Sequence, residues 1–279
     1  MSPTAKSFIL DLLSTLRRGT MPVSALVEAA QLFGIAENNI RVALSRLLAV
    51  KLVERDARGR YRLAEAAPVG RWVRSWREVE QRVRRWDGDW VAVLEGAGAG
   101  PGAARRRSQA LRFLGFRTLA PSLDVRPDNL RGGVDALRIE LGALGLPPGD
   151  LVFALGELDA VTDARARGLW AEDGLHSSHR RLRAEIEKSA RRLDGLRVER
   201  AMVESFLLGG RVIQQLVLDP LLPDQIEPGA ERRVLLEAMR RYDRLGRVAW
   251  AGFLARFDVP HLSAPADTRM GAGAERLAR

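Results

Sequence analysis

Asn38, Asn39, Arg41, Val42, Ser45 and Arg46 fall within nine residues of one another and carry amide, guanidinium, methyl and hydroxyl groups. Such groups read base edges in a major groove. A solvated helix face usually mixes Glu with Lys; this one is compact and short in acids. Just downstream, Arg55, Arg58, Arg60 and Arg62 supply guanidinium groups that reach phosphates beside a groove. The chemistry these residue types point to is recognition of duplex DNA.

The elements that position them follow from spacing. From Glu37 the apolar residues Ile40, Ala43, Leu44, Leu47 and Leu48 form one buried helical stripe, which turns the polar residues outward. Leu52 to Leu63 reads as a hairpin turning at Ala57-Arg58-Gly59, where Gly59 supplies a positive φ. Upstream, Phe8, Ile9, Leu12, Leu13 and Leu16 predict a first helix over Ser7 to Arg18, capped by Gly19. Pro22 suits the first turn of a second helix, carried by Val23, Leu26, Val27 and Ala30 and ending near Phe33-Gly34. Three helices and a hairpin in this order predict a winged helix-turn-helix with its third helix in the groove. Ala36 occupies the N-cap of that helix, and a missing cap costs about 1 kcal/mol, so tertiary packing must hold it. The plainer alternative is a small helix-hairpin domain with a solvated face.

The whole chain bounds the rest. Its 279 residues suffice for two or three domains, and 46% hydrophobic with 29% charged residues describes a globular protein. No run approaches a membrane span and no apolar signal segment opens the chain, which predicts a cytoplasmic location without membrane partners. The absence of cysteine excludes disulfides, thiolate nucleophiles and zinc-thiolate sites. Net charge is +10, and between Arg41 and Arg62 seven basic residues stand against two acids. That local excess suits a polyanionic partner.

Beyond the hairpin, Val69, Trp72, Val73, Trp76, Val79, Val83 and Trp86 recur at helical spacing and predict a linking helix over 67–88. Its indoles read as core rather than as base-stacking platforms. A strand (Trp90–Glu95), a Gly/Ala loop, a helix (Ala104–Leu114), a strand (Phe116–Val125), a helix (Gly133–Leu144) and a strand (Leu151–Leu158) predict a small α+β ferredoxin-like sandwich over 89–175. The Gly96–Gly102 loop is a poor phosphate cradle, because no Lys-Ser/Thr follows it. His176 to Leu208 and Ala230 to Phe257 predict a helical C-terminal domain over 176–262, and 263–279 reads as a loose tail. His176 and His179 lack a third metal ligand, so they read as helix-start residues; no metal site and no cofactor are expected.

With these residues in view, the chain resembles the PaaX family of bacterial transcriptional repressors. GIAENNIRVALSRLLAVKLVER running into GRYRL is similar to the family's GIS-x-x-x-VR-x-ALSRL helix and wing. RRWDGDWVAVL and LGFRTLAPSLDVRPDNL resemble its WDG-x-W and GF-x-x-L-x-P-x-L-x-x-x-PDN strands, and FLLGGRVIQQLVLDPLLPDQIEP resembles its DP-x-LP turn. Ala36 and Ile40 stand where the family often has Ser and Val. The resemblance implies a winged helix over 1–66, a middle domain related to the Cas2 nuclease fold, and a helical C-terminal domain. It also implies a homodimer on double-stranded operator DNA, in a phenylacetate-type catabolic setting, released by an effector such as an aryl acyl-CoA. For an anionic effector the arginine groups are Arg105, Arg106 and Arg107, and Arg180, Arg181 and Arg183. The linking helix or the helix around Leu182 to Leu196 is the candidate dimer interface.

Two competing classes are a Cas2-like metal-dependent nuclease and a protein-interaction module. The nuclease needs an acid at the end of its first strand, where Glu95 stands without an obvious partner. The arginine-rich hairpin argues against the module. The chain is therefore expected not to be an enzyme.

Overall fold

The computed structural model describes residues 3–16, 19–64, 76–96, 100–171 and 173–260. The fold is mixed α/β, with two small antiparallel sheets and long helices in its C-terminal region. Two compact units share the chain. Unit 1 comprises 1–74, 186–212 and 238–279, and unit 2 comprises 75–185 and 213–237. Among the described residues no helix is long and apolar enough to cross a membrane.

Unit 1 begins with helix α1 (Ala5–Ser14), started by a capping box in which the Ser7 amide donates to Thr4 Oγ1 at 3.1 Å. Its C-cap is Thr15, short of the predicted Gly19, and Arg17 and Arg18 lie outside the described residues. Strand β1 (Met21–Pro22) precedes helix α2 (Val23–Gln31), so Pro22 is the N-cap and not a first-turn residue. Gly34, at φ +72, turns the chain into helix α3 (Glu37–Ala49). Strands β2 (Val53–Arg55) and β3 (Arg60–Leu63) form the hairpin, and β1 joins it in the order β1-β3-β2.

The core of unit 1 draws on residues far apart in sequence. Ile40, Leu44 and Leu47 of α3 are buried beside Phe8, Ile9, Leu13 and Leu26. Burying such a side chain contributes about 1.5–3 kcal/mol, enough to offset the missing cap. A relay of rings extends this core, from Phe8 and Phe33 through Phe206 to Trp250, Phe253 and Phe257, with neighbouring centroids 5.0 to 5.9 Å apart. Trp250 Nε1 donates to the Met202 carbonyl at 3.2 Å, which satisfies the indole inside the core.

Unit 2 opens with a 3-10 helix (Trp76–Arg82), and Val83 then forms a bridge with Leu130. The predicted linking helix therefore does not run to 88; residues 65–75, with Trp72, lie outside the described residues. Strand β4 (Trp90–Leu94), helix α4 (Pro101–Phe113), strands β5 (Arg117–Ala120) and β6 (Leu123–Pro127), helix α5 (Gly133–Ala143) and strand β7 (Leu151–Leu155) follow. The sheet is antiparallel throughout, in the order β5-β6-β4-β7. The single strand predicted over Phe116–Val125 is thus a hairpin, turned where Ser122 takes φ +62. Both sheet faces are covered. Trp90, Ala92 and Val125 meet Trp86, Trp170 and Leu222, while Val91 and Val93, fully buried, point the other way.

A helix absent from the sequence reading, α6 (Ala160–Arg167), starts at Asp159, whose carboxylate accepts from the Val161 and Thr162 amides. Helix α7 (Leu175–Leu193) and helix α8 (Val198–Val217) replace the single helix predicted over 176–208, broken at Asp194-Gly195. Helix α9 (Ala230–Ala255) follows. The separate helical domain predicted over 176–262 does not form, because α7, α8 and α9 each contribute to both units.

The turn between α8 and α9 is built into unit 2 by a buried cation. Arg126 donates to the carbonyls of Leu114, Pro127 and Pro220 and to Asn129 Oδ1, and Asn129 Nδ2 donates to the Leu221 carbonyl at 2.6 Å. Burial pulls the Arg126 guanidinium down to about 9, which leaves it cationic at neutral pH. Gly115 lets the turn approach, since a Cβ there would lie 2.7 Å from Pro220 Cβ.

Candidate nucleic-acid interface

Helix α3 presents the predicted face to solvent. Asn38, Asn39, Arg41, Val42, Ser45 and Arg46 are all exposed, while Ile40, Ala43, Leu44 and Leu47 are buried beneath them. Val42 keeps 41% of its surface, a large share for an apolar side chain on a packed helix. The amphipathic spacing has therefore set which groups face outward.

The hairpin beside this face is rigid at its tip. Asp56 Oδ1 accepts from the amides of Arg58 at 2.9 Å and Arg60 at 2.8 Å, and Gly59 takes φ +77. The hydrogen bond from the Arg60 amide, helped by that from the Arg58 amide, holds the Asp56 carboxyl below the usual carboxylate range, against an opposing push from burial. Arg58 stands exposed at the tip. Arg55 is also exposed, with its guanidinium 5.9 Å from the Tyr61 ring centroid. Arg62 pairs with Glu54 across the two strands at 2.8 Å.

Arg60 departs from its predicted role. Its Nε donates to Thr20 Oγ1 at 3.0 Å, and Nη2 donates to the carbonyls of Thr20 at 3.1 Å, Phe257 at 3.3 Å and Asp258 at 3.0 Å. A guanidinium shared among three backbone carbonyls is a structural clamp, so Arg60 is removed from the phosphate-contacting set. Nothing local could have revealed this, because Phe257 lies 197 residues away.

Charge divides unevenly between the units. Unit 1 holds 26 Lys+Arg against 14 Asp+Glu, and unit 2 holds 19 against 21. The entire positive surplus thus belongs to the unit that carries α3 and the hairpin. Glu37 is the acid that the sequence reading left out of the interface. It stands at the first position of α3, exposed, and accepts from Arg41 Nε at 2.8 Å, with Arg41 Nη2 ion-paired at 2.6 Å. Its signal was visible in the sequence as an i, i+4 acid-base pair.

The effector candidates separate. Arg105 and Arg106 of α4, and Arg180 and Arg181 of α7, are exposed. Arg107 is buried and bound internally, pairing with Asp124 at 2.8 Å and with Asp150 at 2.8 Å, with Glu95 3.9 Å away. Arg183 pairs with Glu231 at 3.3 Å. Neither of these two is an open anion contact, and both are withdrawn as effector residues. Residues 97–99 of the glycine loop lie outside the described residues. His179 meets Asp219 at 2.8 Å rather than a second histidine, and Asp219 also accepts the Leu221 amide at 2.8 Å. The proposed dimer helices bury their apolar residues within the chain: Trp76, Trp86, Leu182, Ile186 and Leu193 are all in the core.

Residues 4–67, which contain α1 to α3 and the hairpin, match the family described as PaaX-like protein. No curated protein matches the chain. Among solved structures it is similar to the uncharacterized protein Rv0674 from Mycobacterium tuberculosis, at 21% identity and a TM-score of 0.56. The likeness covers 88% of this chain and 98% of that one. At that identity it concerns the fold alone.

Proposed function

Starting from the PaaX-like segment over residues 4–67, we propose that the chain is a sequence-specific DNA-binding transcriptional regulator. Residues 3–64 are read as a winged helix-turn-helix, with α3 as the recognition helix and β2–β3 as the wing. The observation that carries the reading is the exposed face of α3, polar and backed by a buried apolar face, beside an arginine-bearing hairpin. The confinement of the positive surplus to unit 1 supports it, since counterion release from phosphates supplies most non-specific affinity.

The β-α-β-β-α-β order of unit 2, with strand order β5-β6-β4-β7, is read as ferredoxin-like and akin to Cas2. Against a nuclease role, the Arg107 guanidinium sits among Asp124, Asp150 and Glu95, where it neutralises the carboxylates a divalent ion would need. Unit 2 is read as a sensing or structural part, and the chain as a non-enzyme. A two-fold dimer supplies the second half-site that specificity in a genome requires. The resemblance adds release by an aryl acyl-CoA-like effector, for which Arg105, Arg106, Arg180 and Arg181 remain open cations.

The test is binding of the full chain to duplex DNA across a salt series, with light scattering on the same samples. A steep fall in affinity with salt and a dimer on DNA support the reading. Salt-independent binding, or none, favours a protein-interaction module instead. Thermal shifts with acyl-CoAs, free acids and CoA then separate effector classes.

A further inference from the structure

We propose that Glu37 is a positioning residue for base readout, holding the Arg41 guanidinium so that its end edge faces a guanine. The proposal rests on the reading of α3 as the recognition helix. Arg41 donates to a single carboxylate oxygen, Glu37 Oε1, through Nε at 2.8 Å, and Nη2 stands 2.6 Å from the same oxygen in the ion pair. That oxygen occupies the side edge of the guanidinium fork. The end edge, made by Nη1 and the second Nη2 hydrogen, is left for a pair of acceptors such as guanine O6 and N7.

The placement of Glu37 carries an electrostatic cost for binding a polyanion. A carboxylate on the exposed face of α3 repels phosphates, in a unit whose charge favours them. A free arginine has many rotamers and reaches phosphates or neighbouring bases alike. One held by Glu37 loses that freedom before binding, so its contact is confined to one base pair. The pair is weak on a hydrated helix surface, but displacing water from the groove strengthens it.

A plain helix-stabilising role is the competing account. Glu37 sits at the first position of α3, where an acid complements the helix dipole and compensates for Ala36 at the N-cap. That role depends on charge alone and is indifferent to which base lies opposite. The positioning role depends on reach, and it alters discrimination at the base pair that Arg41 reads.

The two separate in a selection from randomised duplexes by the full chain, run for the parent, Glu37→Gln, Glu37→Asp, Arg41→Ala and the Glu37→Gln/Arg41→Ala double variant. Arg41→Ala marks the position that Arg41 reads. Glu37→Gln is expected to relax guanine preference at that same position by on the order of tenfold, while binding to unselected duplex strengthens. Glu37→Asp keeps the charge but is one methylene short, and it is expected to relax the position as Gln does. The double variant is expected to match Arg41→Ala there, since coupled residues are not additive. Melting temperatures close to the parent's exclude loss of folding as the cause. Unchanged preference in Glu37→Gln, or relaxation at a different base pair, overturns the proposal and makes Glu37 a helix-end residue or a direct reader. If the parent enriches no sequence, the recognition-helix reading fails and the inference falls with it.

Discussion

Arg60 in β3 donates from Nη2 to the Phe257 carbonyl oxygen at 3.3 Å, joining the hairpin to the end of α9. The adjoining bond to the Asp258 carbonyl, at 3.0 Å, and those to Thr20 complete the clamp. The hairpin is therefore held in place partly by residues nearly two hundred positions downstream.

Arg60→Ala should lower the stability of unit 1 by about 1 kcal/mol, because it removes the donor to several part-buried acceptors. The slope of affinity against salt should stay near the parent's, since no phosphate contact is lost. Arg58→Ala should do the reverse, leaving the melting temperature unchanged and flattening the slope by about one. Salt titrations of both variants alongside thermal melts check the pair.

Arg41→Ala should cost about 1–3 kcal/mol on a selected duplex and relax preference at one position per half-site. Parent-like affinity and preference in this variant would remove α3 from the recognition role.

Acid should loosen the hairpin turn. The Asp56 carboxyl is held below its ordinary range, chiefly by the Arg60 amide. A group with a lowered folded-state pKa contributes stability above its unfolded value, and that stability is lost as pH falls through the folded value. Hairpin order should persist down to the ordinary carboxylate range and decline below it. In Asp56→Asn the hairpin amides should exchange faster at neutral pH, with the acid dependence reduced; hydrogen exchange at Arg58 and Arg60 reads both effects.

Arg126→Met should destabilise unit 2 by about 3 kcal/mol, because the carbonyls of Leu114, Pro127 and Pro220 would lose a buried donor. Calorimetry of the full chain checks this. A variant as stable as the parent would mean that water replaces the guanidinium.

What was legible in the sequence had a local cause. The apolar period of α3, the turn at Ala57-Arg58-Gly59, and the alternation of helices and strands all act over a few residues, so spacing exposed them. The hairpin at 117–127 was hidden because its turn uses Ser122 at φ +62 in place of a glycine, so two strands read as one. Arg107 and Arg60 were misplaced for a different reason. A guanidinium free to meet an anion and one closed on Asp124 and Asp150, or on distant carbonyls, are spelled identically. The division of α7 to α9 between two units was equally invisible, since a long amphipathic helix has one pattern whatever it packs against.

Unit 1 also constrains the order of events during synthesis. Its first pieces, α1 to α3 and the hairpin, are made early, but Trp250, Phe253, Leu254 and Val259 belong to the same core. Until residue 259 has left the ribosome, the exposed face of α3 rests on an unfinished interior. Loop closure between Arg60 and Phe257 then becomes a late step, costly in chain entropy. Chains cut short before α9 ends should therefore be cleared as misfolded rather than persist as folded fragments.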